Sequence, residues 1–217
     1  MVCIDEFQQV GEFPDSLNVQ KRMRSIWQHQ KSVSYCLYGS KMHMMTKLFQ
    51  KKSYPFYKFG EMQYLKAIPL DEWTAYISDR FEREQKHISK PLIKILCESV
   101  EFQSSYVQQL AYNVFLLTET EVTESIMTQG IEDLIGQNSG IFIEQVQSLT
   151  TYQLNFLRAV LAGNHDGFGE KEIRESFNLG APSNIARLKQ SLIDKELIEI
   201  TENGIIIGDP VLRLWKL

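Results

Sequence analysis

A short apolar run that ends in two adjacent carboxylates constrains this chain more than any other feature. The run is Val2-Cys3-Ile4, and Asp5 and Glu6 follow it directly. Such a run is typical of a strand buried in a parallel sheet, with its acids at the carboxyl edge. Carboxylates there are costly to desolvate unless they hold a metal or polarise water. The alternative is a strand followed by a solvated helix cap, and these residues alone leave both interpretations open.

A second apolar run begins about thirty residues later and ends in small residues instead of acids. It spans Val33–Tyr38 and is followed by Gly39 and Ser40. Between the two runs, apolar residues at helical spacing predict a helix that ends at about Gln30. A Gly-Ser pair after a strand is also a common turn. The pattern strand, helix, strand predicts an α/β arrangement for this part of the chain.

The two runs together resemble the Walker B and sensor-1 strands of AAA+/STAND P-loop ATPases. Within this class, the chain more closely resembles the archaeal-type ATPase family that carries a C-terminal winged helix. Further matches follow in the same order along nearly the whole chain, at Gly39-Ser40-Lys41-Met42-His43, Pro55-Phe56-Tyr57 and Asp79-Arg80-Phe81. The resemblance implies that Asp5 holds Mg²⁺, that Glu6 takes a proton from the attacking water, and that Ser40 is the sensor hydroxyl.

The phosphate-binding loop of that family is the missing element. No G-x-x-x-x-G-K-[ST] occurs in the sequence, so we expect this loop to lie upstream of Met1. We then expect the chain to be the C-terminal portion of an ATPase that binds ATP and Mg²⁺ in the complete protein. We expect the chain alone to be inactive and to hold no cofactor. Its first expected partner is the missing N-terminal ATPase half.

The same absence predicts an incomplete sheet. In this family the phosphate-loop strand lies between the sensor-1 strand and the last strand, which we predict at Met62–Ile68. Without it, strand 33–38 is expected to be exposed, to pair with a second copy in a homo-oligomer, or to pair with 62–68.

Three domains are predicted, and the fold is mostly α overall. Residues 1–70 form a partial P-loop ATPase α/β domain, 71–148 an all-α helical lid, and 149–217 a winged helix-turn-helix. Residues 1–70 carry ten Lys/Arg and five Asp/Glu, whereas 71–149 carry five and thirteen. The acidic middle argues against a nucleic-acid groove there.

The winged helix-turn-helix is predicted from three helical patterns and a hairpin with Asn203-Gly204 at its turn. Its third helix begins near Pro182 and carries Asn184, Arg187 and Lys189, which suit DNA or a protein surface. Residues 150–217 carry eight Lys/Arg and nine Asp/Glu, so a protein partner is favoured over DNA. The alternative function for the whole chain is a non-enzymatic winged-helix regulator or scaffold that binds DNA or a protein.

Two arginines are candidates for an arginine finger or a subunit interface. Relatives often have an arginine near Arg24 that faces the next subunit, although a solvated surface arginine is the alternative. Arg80 lies on the first lid helix, where an ion pair with Glu84 one turn later is the alternative. Relatives usually have Gly-His-Pro where this chain has Phe102-Gln103-Ser104, and no lid arginine stands at a sensor-2 position.

Other classes of protein are disfavoured by composition. No apolar run approaches the roughly 18–20 residues that a membrane helix needs. The sequence shows no basic-then-apolar leader, and its three cysteines and four histidines lack the spacing of a disulfide frame or a metal site. We therefore expect a cytoplasmic protein with reduced cysteines and no membrane contact.

Overall fold

The computed structural model describes residues 1–215, and the chain divides into two compact units, Met1–Lys66 and Ala67–Leu217. Each unit has its own apolar core. The predicted boundary between the lid and the winged helix, at 148/149, lies within the second unit and stays a prediction. In the described part of the chain, no helix is both long and apolar enough to cross a bilayer.

The first unit has two strands, a 3₁₀ helix and two α-helices. In chain order these are β1 (Val2–Ile4), a 3₁₀ helix (Phe7–Glu12), α1 (Ser16–Trp27), β2 (Tyr35–Leu37) and α2 (Met42–Gln50). The strands pair in parallel, with Val2 opposite Tyr35 and Ile4 opposite Leu37. Parallel strands need a crossover, and α1 provides it.

An aromatic cluster on one face of this sheet forms the core of the first unit. Phe7 and Phe56 are 1% and 0% exposed, and their rings meet edge to face with centroids 5.3 Å apart. Ile4 and Leu37 pack against the cluster, and Tyr35 stacks on Trp27 at 4.2 Å. Because side chains alternate along a strand, the residues between these positions face the other way.

The strand that we predicted at Met62–Ile68 does not form. Residues 61–69 have no helix or strand, and Leu65 is 97% exposed. A strand needs a neighbour that supplies hydrogen bonds, and no segment of the described chain pairs with 62–68 or with the outer edge of β2. The first unit therefore has a two-stranded sheet whose edges are both unpaired within the described chain.

The second unit is mainly helical and ends in a hairpin and a short helix. Its elements are α3 (Leu70–Arg83), α4 (Lys90–Ser99), α5 (Ser104–Leu117), α6 (Glu124–Gln147), α7 (Thr151–Leu161), α8 (Lys171–Ser176), α9 (Pro182–Asp194), β3 (Ile198–Thr201), β4 (Gly204–Ile207) and α10 (Pro210–Leu214). One apolar cluster extends from α3 to α10. The sequence did not predict α10, whose N-cap Asp209 accepts hydrogen bonds from the amides of Val211 and Leu212.

Local signals explain where several of these elements begin and turn. Thr150 and Gln153 form the reciprocal capping box that starts α7. Thr123 caps α6, since its side chain accepts a hydrogen bond from the Ile126 amide. Gly204 has a φ of 105° at the hairpin turn, a conformation that favours glycine, and the predicted turn is confirmed.

Candidate functional site

The predicted acid pair lies directly after β1, where the chain turns sharply. Glu6 has φ 49° and ψ 38°, in the left-handed region. Asp5 Oδ1 accepts a hydrogen bond from the Glu6 backbone N–H at 2.8 Å. The turn sends the next side chain, Phe7, into the aromatic core. It leaves Glu6 half-buried and Asp5 exposed at the end of the strand.

The end of β2 brings Ser40 to the same place. The Tyr38 amide donates to Ile4 O at 3.1 Å, and the Phe7 amide donates to Tyr38 O at 3.0 Å, so backbone pairing continues past both strands. Ser40 Oγ then lies 3.2 Å from Glu6 Oε1 and 3.5 Å from Glu6 Oε2. The parallel pair thus brings together a hydroxyl and a carboxylate that are 34 residues apart. Their catalytic roles stay predictions.

The buried side chain of Gln8 holds the Glu6 carboxylate, and the sequence analysis did not predict this contact. Its Nε2 donates to Glu6 Oε2 at 2.5 Å, and its side chain is 1% exposed. Gln8 Oε1 is buried without a hydrogen-bond partner. A Cβ built on Gly39 would lie 1.7 Å from this oxygen, so the amide occupies the space that a larger residue at 39 would need. Gly39, the residue before Ser40, is the sequence signal that could have indicated this contact.

The Asp5 carboxylate interacts electrostatically with the phenol of Tyr38. The pKa of Tyr38 is raised, mainly by the Asp5 carboxylate, then by partial burial and by the thiols of Cys3 and Cys36. The phenol is protonated at neutral pH even at its ordinary pKa of about 10, so the raised pKa moves its ionisation further into alkali.

These residues fit a site for Mg²⁺ only in part. Asp5 offers an exposed carboxylate, and Mg²⁺ in phosphate-transfer sites typically takes one or two carboxylates together with water and substrate phosphates. Among the described residues, no cluster of three or more His, Cys, Asp and Glu side chains could hold a metal ion. Any Mg²⁺ here would therefore need further ligands from nucleotide phosphates and water.

Arg24 is engaged within the first unit. Its guanidinium donates to the backbone carbonyls of Pro55 and Tyr57, the latter at 3.0 Å, and lies 5.5 Å from the ring centroid of Phe59. It therefore fastens the aromatic loop to α1 and is not a purely solvated side chain. The predicted finger or interface role is untested.

Arg80 lines a surface groove between α3 and α5. The groove has a volume of about 500 Å³, and aromatic side chains including Trp73 and Tyr112 line it. The guanidinium lies 5.1 Å from the ring centroid of Tyr76. In the described chain Arg80 has no ion pair with Glu84, whereas Arg83 pairs with Asp79 at 2.8 Å. The nucleotide or interface role of Arg80 stays a prediction.

The three candidates on α9 differ in accessibility. Arg187 is exposed, whereas Asn184 and Lys189 are half-buried. Lys189 lines a depression of about 330 Å³ together with Ile185 and Ile200. Ile200, on the hairpin, is 59% exposed. Within the described residues, this surface therefore combines the exposed side chain of Arg187 with exposed apolar area.

Comparison with known proteins supports the fold and no more. No family model matches the chain, and no curated protein matches it. Among solved structures, the chain is similar to a Walker-type ATPase of Pyrococcus abyssi, with a TM-score of 0.68 and 16% sequence identity. The match covers 98% of this chain and 61% of that one. The chain therefore has a P-loop-ATPase-like fold and spans about three fifths of the ATPase that it resembles.

Proposed function

We propose that this chain is the C-terminal portion of an AAA+/STAND-type P-loop ATPase, with its Walker B acids at Asp5 and Glu6 and its sensor at Ser40. The observation that carries the proposal is the 3.2 Å contact between Ser40 Oγ and Glu6 Oε1 at the carboxyl ends of adjacent parallel strands. Ligands of open α/β sheets bind at this edge.

Each residue has a distinct part in the proposal. The nucleotide phosphates carry negative charge that Mg²⁺ would neutralise when bound. Asp5 would hold the metal through water. Glu6, oriented by Gln8, would accept the proton of the attacking water, and the Ser40 hydroxyl would contact that water or the terminal phosphate. The phosphate loop would come from the N-terminal ATPase half, which we propose as the partner of this chain.

Manganese relaxation tests the metal part of this proposal on the chain itself. Mn²⁺ replaces Mg²⁺ and broadens the amide signals of nearby residues. Without a phosphate loop the chain alone is not expected to hold the metal and ATP tightly, so both are added in excess. Under these conditions we expect selective broadening at Glu6, Gly39 and Ser40, and its loss in Asp5→Asn. Asp71→Asn, which removes an exposed carboxylate from the second unit, is the matched control. Broadening no stronger at the strand ends than at Asp71 would contradict the proposal.

An assay of phosphate release tests whether the chain needs the N-terminal half for ATP hydrolysis. The chain alone is expected to give no magnesium-dependent phosphate release from ATP, because no residues of a phosphate loop are present to cradle the transferred group. If the chain alone hydrolyses ATP and Glu6→Gln abolishes this activity, the proposed catalytic role of Glu6 would stand. The same result would overturn the claim that the chain depends on another half.

For residues 149–217 we propose a winged helix that contacts a protein partner. Exposed Ile200 beside half-buried Lys189, together with the slightly acidic composition, supports a protein surface over DNA. A non-enzymatic regulator that binds DNA is the alternative. Mobility-shift assays at two salt concentrations distinguish them, since DNA binding through phosphates weakens steeply with salt. We expect no shift at low salt, and a salt-sensitive shift lost in Arg187→Ala would favour the alternative.

A further inference from the structure

Two cysteines lie directly opposite each other on the uncovered face of the sheet. Cys3 on β1 pairs in register with Cys36 on β2, and both side chains are exposed. Ile4 and Leu37 point into the aromatic core, so alternation places the two thiols together on the opposite face. Both cysteines are free.

Strand geometry brings these thiols within reach of each other. Neighbouring strands lie about 4.8 Å apart, and disulfides join Cα atoms that are roughly 4.4–6.8 Å apart. The Cβ atoms of a disulfide must approach to about 3.5–4.5 Å, so two parallel side chains have to tilt towards each other. A bond of this kind is strained and exposed, and such disulfides are readily reduced.

The third cysteine is shielded from the same chemistry. Cys97 is 0% exposed in the core of the second unit, and burial, with a smaller contribution from Glu98, raises its pKa to about 11. The thiolate is the reactive form, so this thiol is inert at neutral pH. The chain therefore offers one accessible pair of thiols and an internal control.

We propose that Cys3 and Cys36 form a thiol–disulfide exchange site that takes a small-molecule disulfide as oxidant. One thiolate attacks the disulfide and forms a mixed disulfide, and one thiol of the oxidant leaves. The second thiolate then attacks the protein sulfur of the mixed disulfide and releases the other thiol. The protein loses two electrons and two protons to form the Cys3–Cys36 bond, and the oxidant is reduced to two thiols.

This bond would fasten the two strands just before the site described above. Cys3 lies two residues before Asp5, and Cys36 lies four residues before Ser40. Both strands lead without interruption into the backbone pairing that brings Glu6 to Ser40. Oxidation therefore holds the two strand ends together. The inference rests on strand register and exposure, and it does not depend on the proposed ATPase function.

Oxidised glutathione is the probe, and peptide mapping by mass spectrometry is the readout. Dilute native chain is expected to form an intramolecular Cys3–Cys36 link, which dithiothreitol reverses. Cys36→Ser should stop at a mixed disulfide on Cys3, and Cys97→Ser should behave as the wild type. Accumulation of glutathione adducts on both wild-type cysteines, or links between chains instead of within them, would overturn the proposal.

Two further measurements test whether the link forms because the native strands hold the two thiols together, or because the thiols meet at random in a flexible chain. Ring closure is expected to slow about tenfold in concentrated urea, where only a flexible loop with a millimolar effective concentration joins the thiols. Phenylarsine oxide, which bridges two nearby thiols, should bind the native wild type and Cys97→Ser with equal affinity, and Cys3→Ser at least tenfold more weakly. An unchanged closure rate in urea, or equal arsenical binding by Cys3→Ser, would refute the geometric basis.

Discussion

Replacing Gly39 with alanine tests the arrangement around Glu6 most directly. The added methyl carbon would lie 1.7 Å from Gln8 Oε1 and 2.8 Å from its Cδ, whereas ordinary contacts begin near 3.4 Å. The Gln8 amide must therefore move by roughly 2 Å, which breaks its 2.5 Å hydrogen bond to Glu6. A hydrogen bond to a charged group contributes about 1.5–3 kcal/mol, and the lower entropy of the unfolded alanine chain offsets about 0.4–1 kcal/mol. We expect the first unit to be destabilised by about 1.5 kcal/mol.

Hydrogen exchange of the Tyr38 amide measures this loss where it occurs, because that amide is bonded to Ile4 O across the strand pair. A loss of about 1.5 kcal/mol corresponds to exchange about twelvefold faster. Gly60→Ala is the matched control in the same unit, since a Cβ at residue 60 meets nothing within 4 Å.

Gly39 and Gln8 are also expected to be energetically coupled. In a Gln8→Ala background the obstructing amide is gone, and the alanine at 39 should then cost less than about 0.5 kcal/mol. Additive effects of the two substitutions, or exchange in Gly39→Ala no faster than in Gly60→Ala, would refute the steric argument.

Two further predictions concern the second unit. Gly130→Ala on α6 should destabilise this unit by about 1–2 kcal/mol in urea unfolding, since its methyl would lie 2.6 Å from Val114 Cγ2. Gly136→Ala on the same helix meets open space and should stabilise the unit by about 0.5–1 kcal/mol. Equal effects would contradict the packing argument. Tyr106→Phe removes a 2.6 Å hydrogen bond to Asp209 and should cost about 1–2 kcal/mol at neutral pH. Burial and that bond raise the folded pKa of Tyr106, so the wild-type advantage should be present below about pH 10 and shrink above it. An advantage that persists unchanged in alkali would exclude this cause.

The sequence predicted the strand pair and its polar ends because the necessary signals are local. Two short apolar runs, one ending in acids and the other in Gly-Ser, are enough to place Glu6 and Ser40 at one sheet edge. The parallel pairing follows from the helical segment between them, since parallel strands need such a crossover. For the same reason the order of helices in the second unit could be predicted from apolar periodicity and caps.

The failures have a different physical origin, because they depend on contacts between distant segments. Met62–Ile68 has the composition of a strand, yet a strand forms only beside a partner, and the described chain supplies none. Gln8 is a polar residue between the buried side chains of Phe7 and Val10. Its own burial is explained only by the space that Gly39 leaves beside it. Arg24 follows the same rule, since nothing in its helix indicates the carbonyls of the loop that it binds.

The left-handed backbone at Glu6 does not end a helix. Left-handed conformations at Gln85, Asn178 and Glu196 directly follow a helix C-cap, where closing the helix requires that geometry. Lys58, in the aromatic loop, also has a φ of 52° and follows no helix. Glu6 follows a strand and closes no helix, so its conformation costs about 1 kcal/mol or more without that benefit. Glycine would adopt the same turn freely. What glycine lacks is the carboxylate that Gln8 and Ser40 contact, so the unfavourable backbone agrees with the role that we propose for the Glu6 side chain.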